Sequence, residues 1–489
     1  MRRMSQIVAI DQGTTSTRAI RFDRSGEPLA IEAREFAQAY PRPGWVEHDP
    51  EEIWRDTLAV VKAVLTPEVA GIGITNQRET ILLWERTTGR PLHDAIVWQD
   101  RRTADRCDAL RRDGIEPMIQ ARTGLLLDPY FSASKLQWLL DNVAGARAAA
   151  ARGELAAGTI DSFLLWRLTG GRVHATDVTN AGRTMLYDIV KGAWDDDLLR
   201  LFDIPAGLLP EVRENAELFG ETDPALFGRA IPIAGMAGDQ QAALIGQACF
   251  TPGMVKSTYG TGCFILMHTG DAPVLSQNRL LATPAYTIAG ERAFALEGSS
   301  FVAGAAIKWL RDRLGLITAA DETAAVAGGV PDDHGVWLVP AFVGLGAPHW
   351  RPEARGTILG LTLDSSAAHL VRATLESIAF QTSDLTAAMR ADGAIRPAAL
   401  RIDGGMAAND WFAQFLADVL DVAVERPACR ETTALGAARL AGLTLGLWPD
   451  LATVAQGWRA DARFEPRMTA ARRDGLLAGW RDALRRALA

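Results

Sequence analysis

The sequence predicts an α/β fold in two large domains, and three observations carry that expectation. The chain has 489 residues, more than one hydrophobic core usually organises. Strand-like apolar runs alternate with stretches of helical spacing along its length. Two short Gly/Thr-rich turns, Asp11-Gln12-Gly13-Thr14-Thr15-Ser16-Thr17-Arg18 near the start and Tyr259-Gly260-Thr261-Gly262 in the middle, each fall between two apolar runs.

Residues 7–10 and 19–22 flank the first turn and read as a hairpin. Residues 51–65 have helical spacing, with Asp49-Pro50 as the start signal. Val69-Ala70-Gly71-Ile72-Gly73-Ile74 reads as a buried strand. It runs into the polar cluster of residues 75–80 and then the apolar Ile81-Leu82-Leu83-Trp84. Residues 146–157, rich in Ala and Arg, are expected to form a solvated helix. Met254-Val255 and Cys263-Phe264-Ile265-Leu266 flank the second turn. Residues 367–389 form a helix, Leu400-Arg401-Ile402 a strand leading into the Asp403-Gly404-Gly405 turn, and residues 409–419 a further helix. No Pro/Ser-rich linker divides the chain. The boundary is placed near residues 247–250, because the second hairpin follows it, giving domains of residues 1–247 and 248–489.

The composition, 48% hydrophobic and 22% charged, is that of an ordinary globular protein. A formal net charge of −8 disfavours a nucleic-acid partner. The four cysteines lie far apart with no CxxC pair, which argues against a disulfide framework and fits a reducing compartment. The basic first residues precede only a short apolar stretch, so neither a signal peptide nor a membrane span is expected. The expected location is cytoplasmic.

The turns carry the chemistry. Glycine lets the backbone approach a ligand, and Thr and Ser hydroxyls with main-chain N–H groups donate to phosphate oxygens. Asp11 just before the first turn would repel phosphate on its own, and makes sense if Mg²⁺ stands between them. Either turn alone reads as an ordinary hairpin; the pair, one per half, suggests a nucleotide clamped between two related domains. Arg78 and Glu79 are adjacent charges directly after a buried strand. Alone they read as a surface ion pair, and Trp98 alone reads as core.

Together with Tyr40-Pro41-Arg42-Pro43-Gly44-Trp45-Val46-Glu47-His48-Asp49-Pro50, Ala95-Ile96-Val97-Trp98-Gln99, Asp128-Pro129-Tyr130-Phe131, Gly238-Asp239-Gln240-Gln241, Gly344-Leu345-Gly346-Ala347-Pro348 and Asp403-Gly404-Gly405, these motifs run from end to end of the chain. In them the sequence resembles the FGGY carbohydrate kinases, specifically their glycerol-phosphorylating members. The resemblance implies an actin-like, RNase H-like fold in duplicate, with the active site in the interdomain cleft.

By that resemblance Thr14, Thr15, Ser16 and Arg18 meet the terminal phosphates of ATP, Asp11 holds Mg²⁺ through water, and Thr261 and Gly262 contact the phosphates from the other domain. Gly304, Gly405 and Asn409 frame the nucleoside. Lys308 stands where the glycerol-type pattern usually has Gln; by itself it reads as a solvated helix face. On the acceptor side the resemblance implies Arg78, Glu79 and Tyr130 as hydrogen-bonding groups for the hydroxyls. Trp98 and Phe264 wall the carbon skeleton. Asp239 is the general base, and Gln240 holds another hydroxyl. It also implies a homo-oligomer, dimer or tetramer.

Some relatives carry a Gly-rich basic loop for fructose 1,6-bisphosphate just before the Ile-Pro-Ile strand. Here the stretch Thr222-Asp223-Pro224-Ala225-Leu226-Phe227-Gly228-Arg229-Ala230-Ile231-Pro232-Ile233 is shorter and has one cation. Other relatives are activated by phosphorylation of a histidine around residues 214–220. This chain has no histidine between His174 and His268. Activity is therefore expected to follow substrate supply.

Overall fold

Each Gly/Thr-rich turn folds as the tip of an antiparallel hairpin, and each hairpin seeds a sheet. Gln6–Gln12 pairs with Ser16–Phe22, placing Asp11 opposite Arg18. Val255–Tyr259 pairs with Cys263–Gly270, placing Tyr259 opposite Cys263. The computed structural model describes residues 5–393 and 395–489. In it, both hairpins extend by the same rule. A third strand adds antiparallel to the outer arm: Pro28–Glu35 in the first half, Glu291–Ser300 in the second. Two more strands add parallel to the inner arm. These are Val69–Asn76 then Pro232–Gly238 in the first half, and Ala399–Asp403 then Ala423–Pro427 in the second. The result is a six-stranded and a seven-stranded sheet of one shared topology, the duplicated α/β architecture that the sequence predicted.

The apolar arms are buried for a physical reason. Val8, Ile10, Ile72, Ile74 and Ile233 face one core with Ile53, Val60 and Val61 of the helix Pro50–Val64. That helix starts where expected, with Asp49 accepting from the Glu51 N–H at 2.8 Å. The other face of the same sheet, with Ile7, Ala9, Ile20 and Phe22, is covered by Ala434, Leu435, Ala437, Ala438 and Ala441. Those residues belong to the helix Thr432–Thr444, which comes from the far end of the chain. It also crosses the helix Asp239–Gly246 so closely that a Cβ on Gly436 would sit 1.8 Å from the Ala242 carbonyl oxygen. The second half is thus locked onto the first through a contact of bare backbone.

A smaller four-stranded sheet, Glu47–His48, Ala95–Ile96, Ile81–Glu85 and Leu155–Thr159, stands beside the first. It corrects one expectation. Residues 146–157 are not one solvated helix: a short helix, Ala146–Ala151, is followed by the strand Leu155–Thr159, in which Ala156 and Ala157 are fully buried. Within that strand Gly158 has no room for a side chain: a Cβ there would meet the Ser162 side chain at 2.6 Å and Trp84 at 3.2 Å. Composition alone does not distinguish an Ala-rich helix from an Ala-rich strand under bulky neighbours. Among the described residues no helix is long and apolar enough to cross a membrane.

Candidate active site

The Val69–Asn76 strand delivers Arg78 and Glu79 just beyond its end, into the space between the two halves. Glu79 has φ 63°, a left-handed conformation that costs a residue with a side chain and persists only where its surroundings enforce it. One enforcing contact is the Ser132 hydroxyl, which donates to the Glu79 carbonyl at 2.9 Å. The Pro232–Gly238 strand, parallel to the first, ends at Gly238, so Asp239 opens the next helix beside Arg78. Arg78 Nε lies 3.2 Å from Asp239 Oδ1 and 3.9 Å from Glu79 Oε1. The Asp239 side chain keeps 29% of its surface exposed to the cleft. Burial raises its pKa to about 6, against the Arg78 guanidinium, which pulls it down; Glu79 raises it further and Lys256 opposes. A carboxyl poised there accepts a proton near neutral pH.

Aromatic rings close this space. Trp98 packs edge-on to Tyr130 at 5.6 Å and to Phe264 at 6.2 Å between centroids. Arg78 lies 6.0 Å over the Phe264 ring. Tyr130 is buried, and burial together with Glu79 holds its hydroxyl protonated, well above the ordinary phenol range. Gln240 accepts a hydrogen bond from the buried Lys256 ammonium. A cavity of about 800 Å³ opens beside Trp98 and Tyr130, bounded by Tyr40, Phe301, Leu345 and Trp350. Of the residues expected to grip an acceptor, Trp98 and Tyr130 line this cavity; Phe264, Arg78, Glu79 and Asp239 join them through the contacts above, and Gln240 follows Asp239 with its side chain bonded to Lys256.

The first turn adjoins that place. The Trp98 indole N–H donates to Thr14 Oγ1 at 3.0 Å. From below, the Gln77 side chain donates to the Gly13 carbonyl and to Gln12 Oε1, each at 3.1 Å. Thr15 at the tip is exposed. Asp11 is buried and ion-paired to Arg18, whose other nitrogen reaches Glu431 of the second half at 2.7 Å.

The second turn opens onto a separate cavity of about 680 Å³ lined by Thr261, Gly304, Lys308, Gly405 and Asn409, with Ile307 and Leu375. A Cβ on Gly304 would lie 2.6 Å from the Gly260 carbonyl, and one on Gly262 2.6 Å from that of Ser300; both glycines let the backbone close up around the turn. Gly405 faces open space. Lys308 is exposed at the rim. Asn409 is largely committed to structure. Its Oδ1 accepts from the Phe412 N–H at 2.9 Å, capping the helix Asp410–Leu420, and its Nδ2 donates to Thr323 at 3.0 Å.

Sequence reading missed the charges beneath the acceptor residues. Glu297 from the Glu291–Ser300 strand takes both Arg78 nitrogens, at 2.6 and 3.0 Å. Arg183 joins Glu79 to Glu297, at 2.6 and 3.1 Å. Lys256 and Gln241 complete the group. The only sequence signal was a single charge inside an apolar strand, as in Ala295-Leu296-Glu297-Gly298.

The FGGY family of carbohydrate kinases matches over both parts of the chain, its N-terminal domain at residues 6–246 and its C-terminal domain at residues 255–445. The chain is 62% identical to a glycerol kinase of Rhodospirillum centenum (strain ATCC 51521 / SW), over 98% of this chain and 97% of that one. It is 61% identical to a glycerol kinase of Gluconobacter oxydans (strain 621H), over 100% and 96%. Among solved structures, a Plasmodium falciparum glycerol kinase with ADP superposes with a TM-score of 0.93 at 37% identity, covering 100% of this chain and 99% of that one. A xylulose kinase from Lactobacillus acidophilus shares the fold, with a TM-score of 0.88 at 22% identity over 99% and 98%. The duplicated sheets, the paired turns at their cleft and the end-to-end match assign this chain to the FGGY family of carbohydrate kinases.

Proposed function

We propose that the chain transfers the γ-phosphoryl group of ATP to a terminal hydroxyl of glycerol, forming sn-glycerol 3-phosphate and ADP. The observation that carries this reading is the chain of contacts that joins Arg78, Glu79 and Asp239 to Phe264, Trp98 and Tyr130, with Trp98 hydrogen-bonded to Thr14 of the first turn. The likeness to glycerol kinases over nearly the whole chain supports glycerol as the acceptor. Arg78 and Glu79 offer a donor and an acceptor side by side, which suits neighbouring hydroxyls, and the rings suit the C–H face.

In this reading Asp239 takes the proton of the attacking hydroxyl. The oxygen bonds to the γ-phosphorus, the bond to the bridging oxygen breaks, and ADP leaves. Thr14, Thr15, Ser16, Arg18, Thr261 and Gly262 hold the phosphates in line. Gly304, Lys308, Gly405 and Asn409 border the nucleoside. Gln240 and Tyr130 fix the remaining hydroxyl. Phosphoryl transfer depends on such placement and on charge neutralisation more than on covalent chemistry.

Among the described residues no three His, Cys, Asp or Glu converge on a metal site. One carboxylate, Asp11, beside a Thr/Ser turn suits Mg²⁺, which keeps several waters and binds with nucleotide phosphates. When bound, the ion supplies charge neutralisation on the phosphates. Residues 1–247 would carry acceptor and phosphate binding and residues 248–489 nucleotide binding. Phe264 and Glu297 are contributions of the second part to the acceptor side. The thiols are unpaired, in keeping with a cytoplasmic enzyme, and the chain is taken to assemble as a dimer or tetramer by its resemblance to the family.

The test is ADP release with a panel of polyols and ketoses, for the native chain and for Arg78→Ala. Glycerol should have the highest kcat/KM, and the variant should lose glycerol use more than ATP use, since a hydrogen-bonding site discriminates through its polar groups. Faster turnover of xylulose or ribulose than of glycerol would overturn the substrate assignment.

A further inference from the structure

Below the acceptor pocket lies a set of charges that ordinary folding does not require. Arg183, Glu297 and Lys256 are wholly buried, and the Arg78 and Glu79 side chains keep only 2% of their surface. Removing such ions from water is expensive, and hydrophobic residues of similar volume commonly stabilise a core as well or better. A buried charge network is therefore weak evidence of a stability device. Here it has a second property: it is built from both halves of the chain. Glu297 stands on the second sheet, whereas Arg78, Glu79 and Arg183 belong to the first half.

The hydrogen-bond inventory shows what the network leaves over. A guanidinium carries five N–H groups. Arg78 Nη1 uses its two on Glu297 Oε2 at 2.6 Å and Gln241 Oε1 at 3.1 Å. Nη2 uses one on Glu297 Oε1 at 3.0 Å, and Nε faces Asp239 at 3.2 Å. One Nη2 hydrogen remains. On Glu79, Oε1 takes the Arg183 Nε–H at 2.6 Å, and the second oxygen remains. Among the described residues the network takes four of the five Arg78 N–H groups and one contact to Glu79 Oε1, leaving a donor on Arg78 and an acceptor oxygen on the adjacent Glu79. That is the pattern that recognises two hydroxyls on neighbouring carbons. Arg183 is itself held over the Tyr130 and Phe131 rings, at 5.5 and 5.2 Å, so it has little room to turn.

We infer that Glu297 and Arg183 are positioning residues for acceptor specificity: they fix the last free N–H of Arg78 and the last free oxygen of Glu79 as a matched pair for a vicinal diol. The inference rests on the proposed kinase activity. It adds that the second half of the chain, through Glu297, takes part in choosing the acceptor. The charges around Asp239 are coupled to the same network. Asp239 is faced by Arg78, Glu79 and Lys256, and Glu297 offsets Arg78 from behind. Removing the Glu297 charge leaves Arg78 and Arg183 less compensated, which favours the Asp239 carboxylate and moves its titration to lower pH.

The test uses the full chain and the variants Glu297→Gln and Arg183→Met/Glu297→Gln, the second removing one charge of each sign. Thermal unfolding, KM for acceptor and for ATP, and the pH profile of kcat/KM are measured for each. A hydrogen bond to a charged group is worth about 1.5–3 kcal/mol, so acceptor KM should rise roughly 10- to 100-fold. ATP KM should stay within a few-fold, and in Glu297→Gln the acid limb should move down in pH. The charge-balanced double variant should recover thermal stability but keep the raised acceptor KM. A failed kinase reading shows in the native chain, as no polyol phosphorylated. Failure of this inference shows only in the variants: unfolding shifts while acceptor KM and the acid limb stay put, or the double variant restores acceptor KM.

Discussion

Replacing Asp239 with Asn tests the proposed chemistry most directly. Asn keeps the shape and one acceptor oxygen but cannot take a proton. The fold should survive, because Arg78 retains its two-fold pairing to Glu297 at 2.6 and 3.0 Å and its contact to Gln241. Its buried charge is therefore not left alone. The expected loss in kcat is roughly 10²–10⁴-fold, the usual contribution of a positioned general base. The structure adds a pH signature. With Asp239 raised to about 6 by burial, the active carboxylate form is nearly full at pH 7 and about one-tenth populated at pH 5. The native kcat/KM should thus fall about ten-fold over that interval. The folded-state pKa is raised, so the charged form is lost as pH falls through it, and activity is lost on the acid side. Asp239→Asn should flatten that limb while nucleotide binding, followed by fluorescence or calorimetry, is unchanged. A variant within a few-fold of native kcat, or one that keeps the same acid limb, would refute the assignment.

Two further outcomes follow from other contacts. Trp98→Phe keeps an apolar wall but removes the N–H that donates to Thr14 Oγ1 at 3.0 Å. One neutral hydrogen bond is worth about 1 kcal/mol, so kcat/KM for ATP should drop roughly five-fold with acceptor KM nearly unchanged; the reverse pattern in steady-state kinetics would confine Trp98 to the acceptor wall. Millimolar fructose 1,6-bisphosphate should leave the rate unaltered, because Arg229, the one cation of the 222–233 stretch, spends its Nη2 on the backbone carbonyls of Val69 at 2.8 Å and Thr66 at 3.4 Å, and a bisphosphate needs several free donors. Strong inhibition in the same assay would show that the stretch binds anions after all.

The parts of this protein legible in its sequence are those set by neighbours in the chain. A hairpin with a Gly/Thr tip, a helix opened by Asp49-Pro50, or a strand that ends at Asn76 just before Gln77-Arg78-Glu79 is specified within a few residues, since turn chemistry, capping and apolar alternation act locally. The residues expected to bind acceptor and phosphates lie at such ends, which is why they could be named. Their convergence also needed the likeness to a known family. What tertiary structure alone decided acts across long separations. Residues 146–157 divide into the helix Ala146–Ala151 and the first three residues of the buried strand Leu155–Thr159, which pairs with Ile81–Glu85. The helix Thr432–Thr444 covers a sheet whose first strand, Gln6–Gln12, lies more than 400 residues earlier in the chain. Glu297 lies 219 residues from Arg78 and 114 from Arg183. In the sequence Glu297 and Arg183 are lone charges and Arg78 stands next to Glu79, and neither setting identifies the partner across the cleft. Only the packing of two sheets against one cleft brings these opposite charges to 2.6–3.1 Å, and only there does the loss of water make each depend on the others.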